Sequence, residues 1–143
     1  MEQNGKEPIG RYVSQLYRKG NSFVSKELCE YGIGSGQIMF LIALYRQDGI
    51  SQEELSEILN IDKGTTARAL KKLEEENFVI RLKDEFDKRA YKIYLTNKSK
   101  EVRGSFFKVL EQWNDIVEST ITHEESEALI NILKKICINQ NIK

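Results

Sequence analysis

The stretch spanning residues 61–96 constrains the fold more than any other part of the chain. It reads as a helix over 62–76 that runs into a two-stranded ribbon, 78–83 and 90–96, with a charged tip between the strands. Asp62 suits the N-cap because its carboxylate can accept amides that the first helical turn leaves free. On a helical wheel Thr66, Ala69, Leu70 and Leu73 share one side, an ordinary core-facing stripe. The other side carries Gly64, Ala67, Arg68 and Lys71, with Lys63, Thr65 and Lys72 at its edges. Small residues allow close approach and long cations reach a polyanion, so this face suits a DNA major groove. The competing reading is a plain solvated amphipathic helix.

The ribbon sharpens the case. Phe78-Val79-Ile80 is a short apolar run, and Tyr91-Lys92-Ile93-Tyr94-Leu95 largely alternates and is rich in β-formers. Asn77 falls where the helix must stop, and asparagine tolerates the left-handed conformation that glycine usually supplies there. Lys83-Asp84-Glu85-Phe86-Asp87-Lys88-Arg89 is too charged for a core and fits a hairpin tip. A basic hairpin beside a recognition helix is a wing, able to reach a minor groove or phosphates. Arg89 is the candidate for the inserted side chain, with Asp87 close enough to orient it.

Composition sets the outer bounds. The 143 residues make one domain's worth of chain, with room for an oligomerisation extension. No run of about 18 apolar residues exists to span a membrane, and residues 1–5 lack the basic-then-apolar pattern of a secretory leader. A cytoplasmic location is therefore expected. Cys29 and Cys137 show no CxxC spacing and read as buried thiols, not as zinc ligands or a disulfide framework. His123 is the only histidine, and there is no nucleophile–base pair, metal-ligand cluster or phosphate loop, so no enzyme, metal or cofactor is expected. Zero net charge argues mildly against a nucleic-acid binder. Residues 62–96 nonetheless hold nine basic against seven acidic residues, and three of those acids, Glu74, Glu75 and Glu76, fall at the far end of the helix. Affinity for DNA must then come from where the cations sit, not from bulk charge.

Most of the remaining chain reads as helix. Pro8 sits where a first helix can begin, its missing amide costing nothing there. Ile9, Val13, Leu16, Phe23, Val24 and Leu28 recur at helical spacing, interrupted by Gly20. The glycines of Tyr31-Gly32-Ile33-Gly34-Ser35-Gly36 mark a turn, with Ser35 placed to cap a largely buried helix over 37–47. Asp48-Gly49 is a further turn. Ser51-Gln52-Glu53-Glu54 fits a capping box that opens a helix ending at Asn60. Only Asn60 and Ile61 separate that helix from Asp62, which makes a helix-turn-helix pattern. Beyond Thr96, Val102, Phe106, Val109, Leu110, Trp113, Ile116 and Val117 repeat through a helix of roughly 20 residues and about 30 Å. Thr122-His123-Glu124-Glu125 is a second capping box and opens a last helix with Ala128, Leu129, Ile132, Leu133, Ile136 and Cys137. The terminal helices carry more apolar stripe than a small winged-helix unit needs. A homodimer built by pairing them is expected, with an intramolecular bundle as the alternative. Such a dimer sets two recognition helices about 34 Å apart, one turn of the double helix.

These residues resemble the MarR family of winged-helix transcriptional regulators over nearly the whole length. The most specific piece is Asp87-Lys88-Arg89-Ala90-Tyr91-Lys92-Ile93-Tyr94-Leu95-Thr96, similar to the family's wing pattern D-x-R-x-x-x-[IV]-x-L-T. Residues 62–74 are similar to its recognition helix. Asn77 replaces the usual glycine after that helix, and Ser99 stands where a glycine commonly follows the wing. The resemblance implies a mainly α fold with a small antiparallel β-wing (α+β). Residues 1–34 and 97–143 would form the dimerisation helices around a DNA-binding lobe at 35–96.

By that likeness the protein is a homodimer on a pseudo-palindromic operator in double-stranded DNA, usually as a repressor. Lys63, Thr65, Arg68, Lys71 and Lys72 would meet bases and phosphates, and Arg89 would enter the minor groove. Ser51 with Gln52 would bring a helix N-terminus near phosphate. Gly64, Thr66, Asp87 and Lys88 complete the candidate contact set. Family members often release DNA when a small aromatic or phenolic ligand binds between the lobe and the dimer helices. Tyr17, Met39 and Phe40 are the candidate lining, although all three also suit core packing. A redox-sensing branch keeps a cysteine in the first helix, and here Tyr17 follows Leu16 at that place, which disfavours oxidation sensing. A winged helix serving protein contact without DNA is the alternative function.

Overall fold

The computed structural model describes residues 5–142, so most of the stretch read above for a leader lies outside the described residues. The element order is α1 (Ile9–Leu28), a one-turn 3-10 helix (Cys29–Tyr31), α2 (Ile38–Arg46), β1 (Ile50–Ser51), α3 (Gln52–Leu59), α4 (Lys63–Glu75), β2 (Val79–Lys83), β3 (Tyr91–Leu95), α5 (Asn97–Glu118) and α6 (His123–Asn139). This is the expected mainly α winged helix-turn-helix with helices before and after it. No helix among the described residues is long and apolar enough to cross a membrane.

Several local expectations need correcting. Pro8 is the N-cap of α1, one residue outside the helix. Gly20 does not interrupt α1, which runs straight through it. A Cβ on Gly20 would collide with the Trp113 indole of α5, so the missing side chain is what lets the two helices cross closely. Ser35 caps nothing. Gln37 takes the N-cap of α2 instead, and its Oε1 accepts the Gly34 amide at 3.0 Å. Cys29 is exposed, not buried, and Cys137 is half-buried. The inward stripe of α1 ends on Leu28, and the next residue turns about 100° away from it.

The ribbon is a three-stranded antiparallel sheet in the order β1-β3-β2. β2 and β3 pair from Val79↔Leu95 to Lys83↔Tyr91, while Ile50↔Ile93 and Ser51↔Lys92 add β1 on the other edge. Two residues are too few to show a period of two, so β1 left no pattern in the sequence. Its anchor is the Asp48-Gly49 turn. Asp48 Oδ1 accepts the Leu95 amide at 2.8 Å and the Gly49 amide at 2.9 Å, with Gly49 at φ 74°.

One core joins these elements: Phe40, Leu41 and Leu44 of α2, Leu55 of α3, Leu70 and Leu73 of α4, Phe78, Ile93 and Phe106 of α5 are all fully buried. At its edge lies a polar knot. Tyr45 of α2 donates to the Ser99 carbonyl at 2.6 Å. The Ser99 hydroxyl donates to the Phe78 carbonyl, and Thr96, the N-cap of α5, accepts the Ser99 amide at 3.3 Å. Ser99 is thus a buried connector between α2, the wing base and α5, and its hydroxyl bond to Phe78 is one that the family's usual glycine has no side chain to make. Asn77 adopts φ 63°, the left-handed conformation expected of it.

Burial pushes the Tyr45 hydroxyl up to about 12, against the opposing pull of Arg103. Since an unfolded tyrosine titrates near 10, this stabilisation is complete below about pH 10 and is lost as pH rises through 12. Tyr45→Phe should cost about 1 kcal/mol at neutral pH through the lost hydrogen bond. It should also flatten the decline in stability between about pH 10 and 12. Thermal melts of both proteins across that window check it, and parallel declines would remove Tyr45 as the cause.

Candidate nucleic-acid interface

α3 and α4 form a tight helix-turn-helix because each end is fixed locally. Ser51, in extended conformation, accepts the Glu54 amide at 3.0 Å and so caps α3. The reciprocal half of the expected capping box is absent among the described residues, and the Ser51 backbone is occupied in β1. Asn60 closes α3 at φ 52°. Asp62 then caps α4, its Oδ1 accepting the Thr65 amide at 2.8 Å.

The outer face of α4 carries a chain of polar contacts. Thr65 Oγ1 donates to Asp62 Oδ2 at 2.7 Å and accepts from Arg68 Nη2 at 3.1 Å. The Thr65 amide and hydroxyl hold the exposed Asp62 carboxyl below its usual range. A Cβ on Gly64 would come within 3.3 Å of Asp62 Oδ1 and 3.4 Å of Arg68 Nη1, so glycine leaves room for the guanidinium to lie across the first turn. Lys63, Lys71 and Lys72 are exposed. Lys63 lies 3.5 Å from Glu53 and Lys72 3.7 Å from Glu76. Such solvated pairs bind weakly and are readily exchanged for phosphate.

Thr66 does not belong to this face. It is fully buried, its Oγ1 donating to the Asp62 carbonyl at 3.0 Å and accepting from Ser56 Oγ at 2.9 Å. Its hydroxyl ties α4 to α3, so the expectation that it touches DNA is corrected. The core stripe assigned from the wheel, Thr66, Ala69, Leu70 and Leu73, is the buried side of α4.

In the wing, Asp84 and Asp87 spend their carboxylates on the turn itself. Asp84 Oδ1 accepts the Phe86 amide at 2.8 Å, which chiefly holds that carboxyl below its usual range. Asp87 Oδ1 accepts the Arg89 amide at 3.0 Å. Asp87 therefore orients the backbone of Arg89, not its guanidinium as the sequence suggested. Arg81 escaped the sequence reading. It lies on β2 with Nε 3.1 Å from Glu74 Oε2 and its guanidinium 5.1 Å over the Tyr91 ring. The available signal was its place in the strand's alternation, which turns it towards α4.

These parts converge. A cleft of about 340 Å³ is lined by Ser51, Gln52, Glu53, Lys63, Arg81, Asp87, Arg89 and Tyr91. It brings together the start of α3, the start of α4 and the wing base, where Lys63, Arg81, Arg89 and a helix N-terminus favour an anion and the carboxylates of Glu53 and Asp87 oppose it. Gly64, Thr65, Arg68, Lys71 and Lys72 continue along α4, and Lys88 stands exposed near the wing tip. The three ligand-lining candidates are not brought together. Phe40 is core, Met39 lines a depression with Ile42 and Ile58, and Tyr17 lines a groove with Trp113 and Leu129. No metal-ligand cluster exists among the described residues.

The model of the MarR family matches residues 33–91. An uncharacterized HTH-type transcriptional regulator of Bacillus subtilis, YybA, is 32% identical over 90% of this chain and 85% of its own length. A MarR transcriptional regulator from Methanosarcina mazei Go1 is 44% identical and superposes with a TM-score of 0.90, covering 94% of this chain and 97% of its own. A MarR family regulator from Listeria monocytogenes, complexed with 26mer DNA, is 28% identical with a TM-score of 0.84, covering 94% of this chain and 89% of its own.

Thr66→Val should lower stability by about 1–2 kcal/mol by removing a buried hydroxyl and its partners' bonds. Affinity of the folded protein for duplex DNA should stay unchanged. Weaker binding without a lower melting temperature would put Thr66 on the contact surface.

Proposed function

Because this chain belongs to the MarR family of helix-turn-helix transcriptional regulators, we propose that it represses transcription as a homodimer on a pseudo-palindromic operator. It is a DNA-binding regulator and not an enzyme. Each copy lays α4 in a major groove, with Lys63, Thr65, Arg68, Lys71 and Lys72 facing bases and phosphates around the close approach that Gly64 permits. The wing reaches the adjacent minor groove through Arg89, backed by Asp87 and Lys88, while Ser51 and Gln52 bring the start of α3 to a phosphate. The observation that carries this reading is the cleft where α3, α4 and the wing base bring Lys63, Arg81 and Arg89 together. The DNA complex of the similar Listeria regulator supports it.

The lobe at 35–96 binds DNA, and the segments 1–34 and 97–143 pair with a second copy. Support for pairing comes from the apolar side chains that one chain leaves in water. Ile9, Val13 and Leu16 of α1 and Ile132, Leu133 and Ile136 of α6 are all exposed. So many bare apolar side chains on two helices favour a covering partner. Relief by a small aromatic ligand has its best support at Tyr17, which lines a groove of about 300 Å³ between α1, α5 and α6.

Arg89→Ala should weaken operator binding by roughly 1–3 kcal/mol while leaving the dimer intact, measured by anisotropy on a duplex recovered from the source genome. Neutralising about six phosphates per dimer gives a slope of log affinity against log salt near −5. A flat salt response would favour a protein-contact module instead. Leu133→Glu should convert the dimer to single chains in light scattering, and an unchanged mass would place α6 outside the interface.

A further inference from the structure

Phe86 stands at the wing tip with 94% of its surface exposed, more than any other large apolar side chain among the described residues. It contributes nothing to the core, and a bare aromatic ring in water carries a solubility cost. Its setting is organised nonetheless. Asp84 Oδ1 accepts the Phe86 amide at 2.8 Å and the Asp87 amide at 3.4 Å, and the other Asp84 oxygen faces Lys92 at 3.8 Å. Asp87 is likewise turned onto the Arg89 amide. Two of the three acids beside the ring thus hold backbone amides of the turn, and Asp84, Glu85 and Asp87 together balance the charge of Lys83, Lys88 and Arg89. The tip presents a bare apolar ring in a charge-balanced loop, three positions before the arginine assigned to the minor groove.

We propose that Phe86 is an apolar wedge that enters the minor groove at the outer flank of each half-site. This rests on the reading of the wing as a DNA contact. Phenyl rings inserted in that groove pack on sugar faces and partly unstack a base step, bending the duplex towards the major groove. A phenyl group has no hydrogen bond to offer a base edge. It discriminates through the cost of deforming the step, which is lowest at TA and CA/TG. Phe86 therefore adds sequence preference at positions outside those that α4 reads.

Selection from randomised duplexes with the wild-type protein, Phe86→Ala, Phe86→Leu and Arg89→Ala tests this, followed by anisotropy on the recovered wild-type duplex. Phe86→Ala should bind that duplex about tenfold more weakly, in the range of one mismatched base pair, and should lose the flanking pyrimidine–purine preference. Phe86→Leu, still a wedge, should retain most of both. All variants should melt like the wild type because the tip touches no core. If Phe86→Ala recovers the same flanks with unchanged affinity while Arg89→Ala is impaired, the wedge is wrong and the wing reading stands. If neither variant differs from the wild type, or the wild-type protein recovers no sequence, the wing reading fails as well.

Discussion

Burial of one stripe of α4 decides what its other side can do. Ala69, Leu70 and Leu73 sink into the core, and the Thr66 hydroxyl locks the first turn to Ser56 of α3. With four inward positions fixed over two turns, rotation of the helix about its own axis is closed off. Gly64, Arg68 and Lys71 must then face outward, already ordered in part by the Asp62–Thr65–Arg68 contacts. An interface whose groups are set before the partner arrives loses less conformational entropy on binding.

The same logic holds the wing. Its base is fixed from three directions: β1 on one edge, the Asp48 carboxylate on the Leu95 amide, and the Tyr45–Ser99–Phe78 knot beneath. Lys98 adds a contact from α5, donating to the Glu76 carbonyl at 2.6 Å and lying 4.5 Å over the Phe78 ring. The start of α5 thereby grips both the end of α4 and the first strand of the wing. The segment outside the lobe is thereby tied to the elements that carry the proposed contact surface.

Much of this was legible beforehand, because it rests on local chemistry. Asp62 as a cap, Asn60 as a helix end, Asn77 as a left-handed stop, the Thr122–Glu125 capping box and the α4 stripe all depend on residues within four positions of one another. The misreadings share the opposite property. β1 gained its meaning only beside β3, and Gly20 became necessary only under Trp113. The sequence puts Thr66 both on the core stripe and in the proposed contact set, and its burial decides for the core.

The sequence alone determined that this chain makes a capped amphipathic helix followed by a charged hairpin, because periodicity and capping act over one or two turns. Tertiary structure alone decided that the start of α3, the start of α4, Arg81 and Arg89 share one cleft. It also decided that Gly20 lies under Trp113 and that β1 joins β3. Those outcomes depend on which distant segments pack together, and packing is set by the burial of the whole chain.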